Sequence, residues 1–398
     1  MPDLRAGPPL SPAAYADVRT ARVLGACKWD PQIGDASTLA RFPLLLTRQA
    51  WRRLAGHAEA LAAEARAATD ELLARPDLLA RLGVGRRLRS ALRTWGGGAA
   101  AGRSPLAAVG TTAAPWVIRF DFHWTTGASA TGGWQVSEAN ADVPGGYAEA
   151  AALPALVAPH IPGFEPVGDP AAALVRTLAA SIGGGASDGG RPVALLAAPG
   201  YLEDQQVVSY LAARLRATGR PAVVAGAGQI RVGRRGAAEL LDPVGPPRPL
   251  AGVVRFVQAE WLPRLVRPDV LNTLLGPGPT PVANPGIGAV VESKRFPLAW
   301  PALRTPLDAW RALLPETRDP RGRLPGDPDG WLLKGTFSNT GDAVVNRQWT
   351  TAGAWRRARW TARLRPLAWA AQRRFEARMI PTPDGPRHAC VGVYTVDG

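Results

Sequence analysis

The stretch that most limits what this chain can become is residues 117–146, which read VIRFDFHWTTGASATGGWQVSEANADVPGG. Ile118, Phe120, Phe122 and Trp124 alternate with Arg119, Asp121 and His123, the period of a strand with one buried face. Gly127 and the Gly132-Gly133 pair supply a turn, and residues 134–140 return as a second strand. On that strand Glu138 and Asn140 stand two apart and share a face. Paired as a hairpin, the two strands gather Asp121, Glu138 and Asn140 beside Arg119. Two carboxylates and an amide oxygen are the hard donors that Mg²⁺ accepts. An arginine beside a divalent ion suits a phosphoryl or acyl-phosphate group held between them. The plain alternative is the wet face of an ordinary hairpin.

Arg119-Phe120-Asp121 and Glu138-Ala139-Asn140-Ala141-Asp142, followed by Pro144-Gly145-Gly146, resemble the glutathionylspermidine synthase family. The synthetase domain of that family is a circularly rearranged ATP-grasp ligase. Weaker similarity extends to KWDPQIGD at residues 28–35, Glu203-Asp204, Arg255-Phe256 with Glu260-Trp261, Lys294, and Lys334 with its glycine loop, so that most of the chain is covered. The resemblance implies an α+β / α/β fold of the ATP-grasp kind, with a helical N-terminal lead-in and a mixed-sheet substrate lobe. It implies ATP and Mg²⁺ as cofactors, with Asp121, Glu138 and Asn140 as metal ligands and Arg119 steadying the transferring phosphoryl group.

Composition narrows the class. The 398 residues suffice for two or three lobes, and 46% hydrophobic with 20% charged residues describes a globular protein. No apolar run is long enough to span a bilayer, and the N-terminus lacks the pattern of an export signal, so a cytoplasmic setting and no membrane partner are expected. The two cysteines, Cys27 and Cys390, form no spacing motif and read as buried small hydrophobes. The net charge of +15 invites a nucleic-acid reading, yet the basic residues look scattered and no binding motif concentrates them. Of 47 Lys plus Arg only Lys28, Lys294 and Lys334 are lysine, leaving 44 arginines. The survivors mark places where a compact ammonium is required.

Along the chain, residues 44–75 read as helix stopped by Pro76, residues 78–92 continue in helix, and the glycines of 96–102 separate this lead-in from the hairpin. Gly145 and Gly146 let backbone approach a ligand ahead of a short helix starting near Tyr147, whose amides suit a substrate carboxylate. Asp142 and Glu149 are placed to contact an amine; Asp142 as a helix cap is the bland reading. Residues 183–190 read as a surface loop. A strand at 192–198, a helix at 203–218 and a strand at 222–225 form a β-α-β unit and imply a parallel sheet. Glu203 and Asp204 open that helix just past a strand end, where open α/β sheets bind ligands, although acidic residues also suit a helix start. A further strand leads to Glu260.

Residues 276–288 read as a link into the last lobe. Lys334 ends a strand, and the loop that follows, with Gly335, Ser338, Asn339 and Gly341, suits phosphate binding, or else a plain hairpin. The resemblance implies that this is the phosphate-covering loop, with Lys294 also on phosphates and Gln372 bordering the adenine. Residues 355–364 form a basic segment with a solvated face, and a final strand spans 388–396. The expected division is 1–105 helical, 106–275 substrate and metal-binding core, and 276–398 nucleotide lobe. Family members continue past Asp397-Gly398, which leaves open a nucleotide lobe that is incomplete at its C-terminal end.

These readings converge on an ATP- and Mg²⁺-dependent ligase that joins a carboxylate to an amine through an acyl phosphate. The chain starts at the synthetase-like part, so no amidase is expected. Val143-Pro144-Gly145-Gly146 replaces the serine-containing segment that contacts glutathione in the family, which points to another small-molecule or peptide carboxylate and another amine. The alternative is an inactive ATP-grasp-like binding protein or a basic nucleic-acid-binding scaffold.

Overall fold

A computed structural model describes residues 3–30, 32–33, 36–96, 115–127, 133–182, 190–322, 324, 326, 328–338 and 343–398. Asn339 and Gly341 of the glycine loop, Gly132 of the hairpin turn, part of the 28–35 motif and most of the 96–102 and 183–190 segments lie outside the described residues.

The long N-terminal helix Arg48–Leu73 begins where the Thr47 hydroxyl accepts the Ala50 amide at 3.1 Å. Leu54, Ala58, Leu61, Ala65, Ala68 and Leu72, three or four apart, form its buried stripe. The cap corrects the expected helix start: Leu44–Leu46 precedes it and is a strand paired with Leu4–Ala6. Pro76 does end the long helix, and its fixed φ then opens the short helix Pro76–Arg81. Glu64 of the long helix accepts the Ala309 and Trp310 amides at 2.9 and 3.1 Å, capping the helix Asp308–Leu313 from outside.

The β-α-β unit is present as Val193–Ala197, Leu202–Ala217 and Ala222–Ala225, with Gly219 at φ +80° just past the helix. The sheet order is Val282–Ala283, Gly252–Phe256, Val193–Ala197, Ala222–Ala225, all parallel. Every residue of the two central strands is buried, as expected of strands covered on both faces. The stretch read as a link is therefore corrected: residues 280–293 are buried throughout, because Val282–Ala283 closes this sheet's edge. Asn284 then ties the sheet to the hairpin, donating to Val117 O at 2.6 Å and accepting from Val117 N at 2.9 Å.

The hairpin supplies two strands of a three-stranded antiparallel sheet in the order Trp134–Asn140, Val117–Trp124, Cys390–Val396. Ile118, Phe120, Phe122, Trp134 and Val136 face the core, where Trp310 meets Phe120 and Phe296 edge-on at 5.9 and 5.2 Å. A separate antiparallel sheet runs Thr317–Arg318, Trp369–Arg373, Trp331–Gly335, Val344–Val345. The helix Ala352–Leu364 packs on it through Trp355, against Trp331, Leu333 and Ala371. The cysteines correct one expectation: Cys27 is half-buried and Cys390, on a sheet edge, is exposed. Among the described residues no helix is long and apolar enough to cross a membrane.

Candidate active site at the hairpin

The hairpin register places Asp121 opposite Glu138 and Arg119 opposite Asn140. Strict alternation would have sent Glu138 inward with Trp134 and Val136. A bulge at Ser137, the extra residue on this strand opposite the step from Asp121 to Phe122, resets the phase, so that Ala139 is buried while Glu138 and Asn140 reach the polar face. The Arg119 guanidinium grips both oxygens of Asp121, at 2.7 and 2.9 Å, and its third nitrogen donates to Gly145 O at 3.0 Å. Asn140 Nδ2 donates to Asp121 Oδ2 at 3.1 Å, which leaves its own amide oxygen directed elsewhere.

Two lysines arrive from distant segments. Lys294 Nζ lies 3.1 Å from Glu138 Oε2 and 3.8 Å from Glu292 Oε1, and Lys334 Nζ donates to Ser137 O at 3.0 Å. Burial pulls the Lys294 ammonium down, but Glu138 and Glu292 outweigh it and its pKa ends above the ordinary lysine value. Lys334 has no such pair. Burial pushes it down to about 8, with the Lys294 charge adding to the effect against the pull of Glu138. Burial alone would raise Glu138, yet Lys294 and Lys334 bring it below the ordinary glutamate value. Gln372 lines a small cavity with Glu138 and Lys294.

Several residues of this cluster are invisible to local sequence reasoning. Gly392 and Tyr394, on the third strand, sit opposite Asp121 and Arg119. A side chain at Gly392 would come within 3.1 Å of Arg119 Cδ, so the glycine gives the guanidinium its bed. The Tyr394 hydroxyl donates to Gly145 O. Gly146 adopts φ +86° at the start of the helix Tyr147–Val157, and a Cβ there would stand 2.7 Å from that hydroxyl. Glu292 accepts the Ala141 and Asp142 amides at 2.7 and 3.2 Å, and burial raises its pKa.

The other expected site residues are placed differently. Glu149 pairs with Lys28 at 2.8 Å, and Lys28 also holds Asp30 at 3.1 Å, so this lysine belongs to a neighbouring ion pair. Asp142 is corrected from amine contact, and from helix cap, to structural anchor. It is wholly buried, and its two oxygens accept from Arg255 Nη2 at 2.5 Å and Ala259 N at 2.7 Å. Glu203, Asp204 and Glu260 lie just past the carboxyl ends of Val193–Ala197 and Gly252–Phe256. Burial and the Glu203 charge push Asp204 up to about 6; burial and Asp142 push Glu260 up to about 8. Gly335 ends the Lys334 strand, and Ser338 Oγ donates back to Gly335 O at 3.1 Å, tightening the turn into the loop.

The donor set suits a hard cation brought in with phosphates. Mg²⁺ is commonly held by one or two carboxylates while substrate oxygens and water complete its shell. Asp121 and Glu138 supply two carboxylates and Asn140 an amide; among the described residues no group of three or more His, Cys, Asp or Glu is placed to hold a metal ion. The buried Lys294 ammonium, paired with Glu138 at 3.1 Å and Glu292 at 3.8 Å, carries three donors and so can meet an anion as well.

No protein-family model and no curated protein matches the chain. Among solved structures, the apo form of a glutathione synthetase-like effector from Globodera pallida superposes with a TM-score of 0.58 at 12% identity, over 96% of this chain and 88% of that one. At that identity the likeness concerns the fold. This chain has a mixed α+β, glutathione synthetase-like fold.

Proposed function

We propose that the chain is an ATP- and Mg²⁺-dependent carboxylate–amine ligase of the ATP-grasp kind, similar to glutathionylspermidine synthases. In this reading the nucleotide lobe, expected from residue 276, follows the edge strand Val282–Ala283 of the parallel sheet. The observation that carries the reading is the convergence of Arg119, Asp121, Glu138 and Asn140 with Lys294 and Lys334, which enter from another part of the chain. A carboxylate does not react with an amine unless it is first activated. ATP supplies a phosphoryl group to one carboxylate oxygen, and the amine then displaces phosphate, yielding an amide, ADP and phosphate.

Asp121, Glu138 and Asn140 would hold Mg²⁺, which neutralises phosphate charge. Lys294 and Lys334 would contact phosphate oxygens, and Arg119, freed from Asp121 when the metal arrives, would steady the group in transfer. Gly335, Ser338, Asn339 and Gly341 would cover the phosphates, and Gln372 would border the base. The amides near Gly145 and Gly146 would receive the acyl substrate, while Glu203, Asp204 and Glu260 would receive the amine. The Val143-Pro144-Gly145-Gly146 segment disfavours glutathione as the carboxylate. A second reading, nucleotide binding without catalysis, is favoured by the grip of Arg119 on both Asp121 oxygens.

The two readings separate in a screen of carboxylate and amine pools with ATP and Mg²⁺. Amine-stimulated ADP release is expected; nucleotide binding with no release for any pair would leave the inactive reading.

A further inference from the structure

The positive charge is concentrated, contrary to the scattered pattern expected from the sequence. Residues 343–375 contain eight arginines and no aspartate or glutamate, more than half of the chain's net charge of +15. The helix Ala352–Leu364 carries the centre of this block. Its buried side is Trp355 and Ala362, packed on the sheet face opposite the one from which Lys334 reaches Ser137. Its outward side is apolar as well: Trp360 is 64% exposed and Leu364, one turn on, is 76% exposed. Leu367 follows in the 3₁₀ turn Pro366–Ala368 and is 48% exposed.

Helical spacing puts Arg356 and Arg363 on one flank of the Trp360–Leu364 ridge and Arg357 on the other. None of the three pairs with a carboxylate among the described residues. A helix that is apolar on both sides has an unsatisfied outer ridge, and this one is bordered by free guanidinium groups.

We propose that this ridge is a peripheral docking surface for an anionic lipid bilayer. Trp360 and Leu364 would enter the boundary between headgroups and acyl chains, while the flanking arginines meet lipid phosphates. Charge complementarity alone would equally suit nucleic acid. The leading edge decides between them: a helix that reads a duplex leads with polar side chains, and a single-strand site stacks bases on aromatic faces, whereas this ridge continues from Trp360 into the exposed aliphatic side chains of Leu364 and Leu367. The surface lies on the far side of the sheet from the hairpin cluster, so it stands independently of the ligase reading and revises the expectation of no membrane partner.

The test is flotation of the full chain with vesicles of phosphatidylcholine alone and of phosphatidylcholine mixed with phosphatidylglycerol. Binding is expected only with the anionic vesicles and is expected to weaken as salt rises. Trp360→Ser with Leu364→Ser should reduce bound protein by about tenfold or more without lowering the melting temperature. Arg356→Glu with Arg357→Glu should abolish the preference for anionic vesicles. Absence of wild-type binding, or equal binding by the Trp360/Leu364 variant, would overturn the proposal. So would salt-sensitive retention on an oligonucleotide that the Trp360/Leu364 variant keeps, with no flotation.

Discussion

The hairpin cluster and the carboxyl ends of the parallel strands both carry carboxylates, but they treat them oppositely. At the hairpin each carboxylate has a cation: Asp121 holds Arg119 at 2.7 Å and Glu138 holds Lys294 at 3.1 Å. At the strand ends desolvation and Glu203 push Asp204 up to about 6, and desolvation and Asp142 push half-buried Glu260 up to about 8. A site already furnished with both signs can exchange partners: an arriving polyanion takes the cations and frees the carboxylates for a metal. Where burial and neighbouring acids raise carboxyl groups, as at Asp204 and Glu260, an arriving cation is favoured. In the proposed function the first arrangement would serve ATP with Mg²⁺ and the second an ammonium group.

The contrast can be broken at its boundary, where Asp142 and Arg255 form a pair with no solvent contact. Asp142→Ala should cost about 3–5 kcal/mol, because it strands a buried guanidinium; urea unfolding reads this directly. A small loss would mean that Asp142 is not the anchor described. Glu138→Gln should keep the native fold, with some loss of stability from the buried Lys294 pair, and lower Mg²⁺-dependent ADP release by about 10²- to 10³-fold. Activity at the wild-type level in that variant would remove the hairpin from the chemistry.

Smaller effects sharpen the comparison. Glu260 has a folded-state pKa raised from 4.5 to about 8, so the unfolded chain releases its proton first. Stability that is full below pH 4.5 is then lost as pH rises towards 8 and does not return above it. Glu260→Gln should flatten that slope, raising the melting temperature more above pH 8 than below pH 4.5. An unchanged slope would show the glutamate to be solvated. Gly146→Ala, at φ +86° beneath Tyr394, should cost about 1–2 kcal/mol, measured by the shift in denaturation midpoint.

The core of the candidate site was legible because it is local. Arg119, Asp121, Glu138 and Asn140 lie on two strands joined by a turn, and alternation with one bulge brings them to one face. The bulge that turns Glu138 outward left only a faint mark, the shift of apolar parity from Trp134 and Val136 to Ala139. Nothing in the spacing could pair Cys390–Val396 with Val117–Trp124, and so Gly392 and Tyr394 went unrecognised. The same distance hid the Asp142–Arg255 pair, because a carboxylate beside a glycine turn looks alike whether it faces a ligand or a buried arginine 113 residues away. Lys294 and Lys334 were found through their rarity in an arginine-rich chain, a compositional signal that says where to look and not what the residue touches.

The most direct test is calorimetric titration with a non-hydrolysable ATP analogue, with and without Mg²⁺, on the wild type and on Lys294→Met/Lys334→Met. The expected result is metal-dependent binding by the wild type and an affinity lower by about 10²-fold or more in the double variant. Equal affinity in the two proteins, or binding indifferent to Mg²⁺, would contradict the assignment of the hairpin and the two lysines to one nucleotide site.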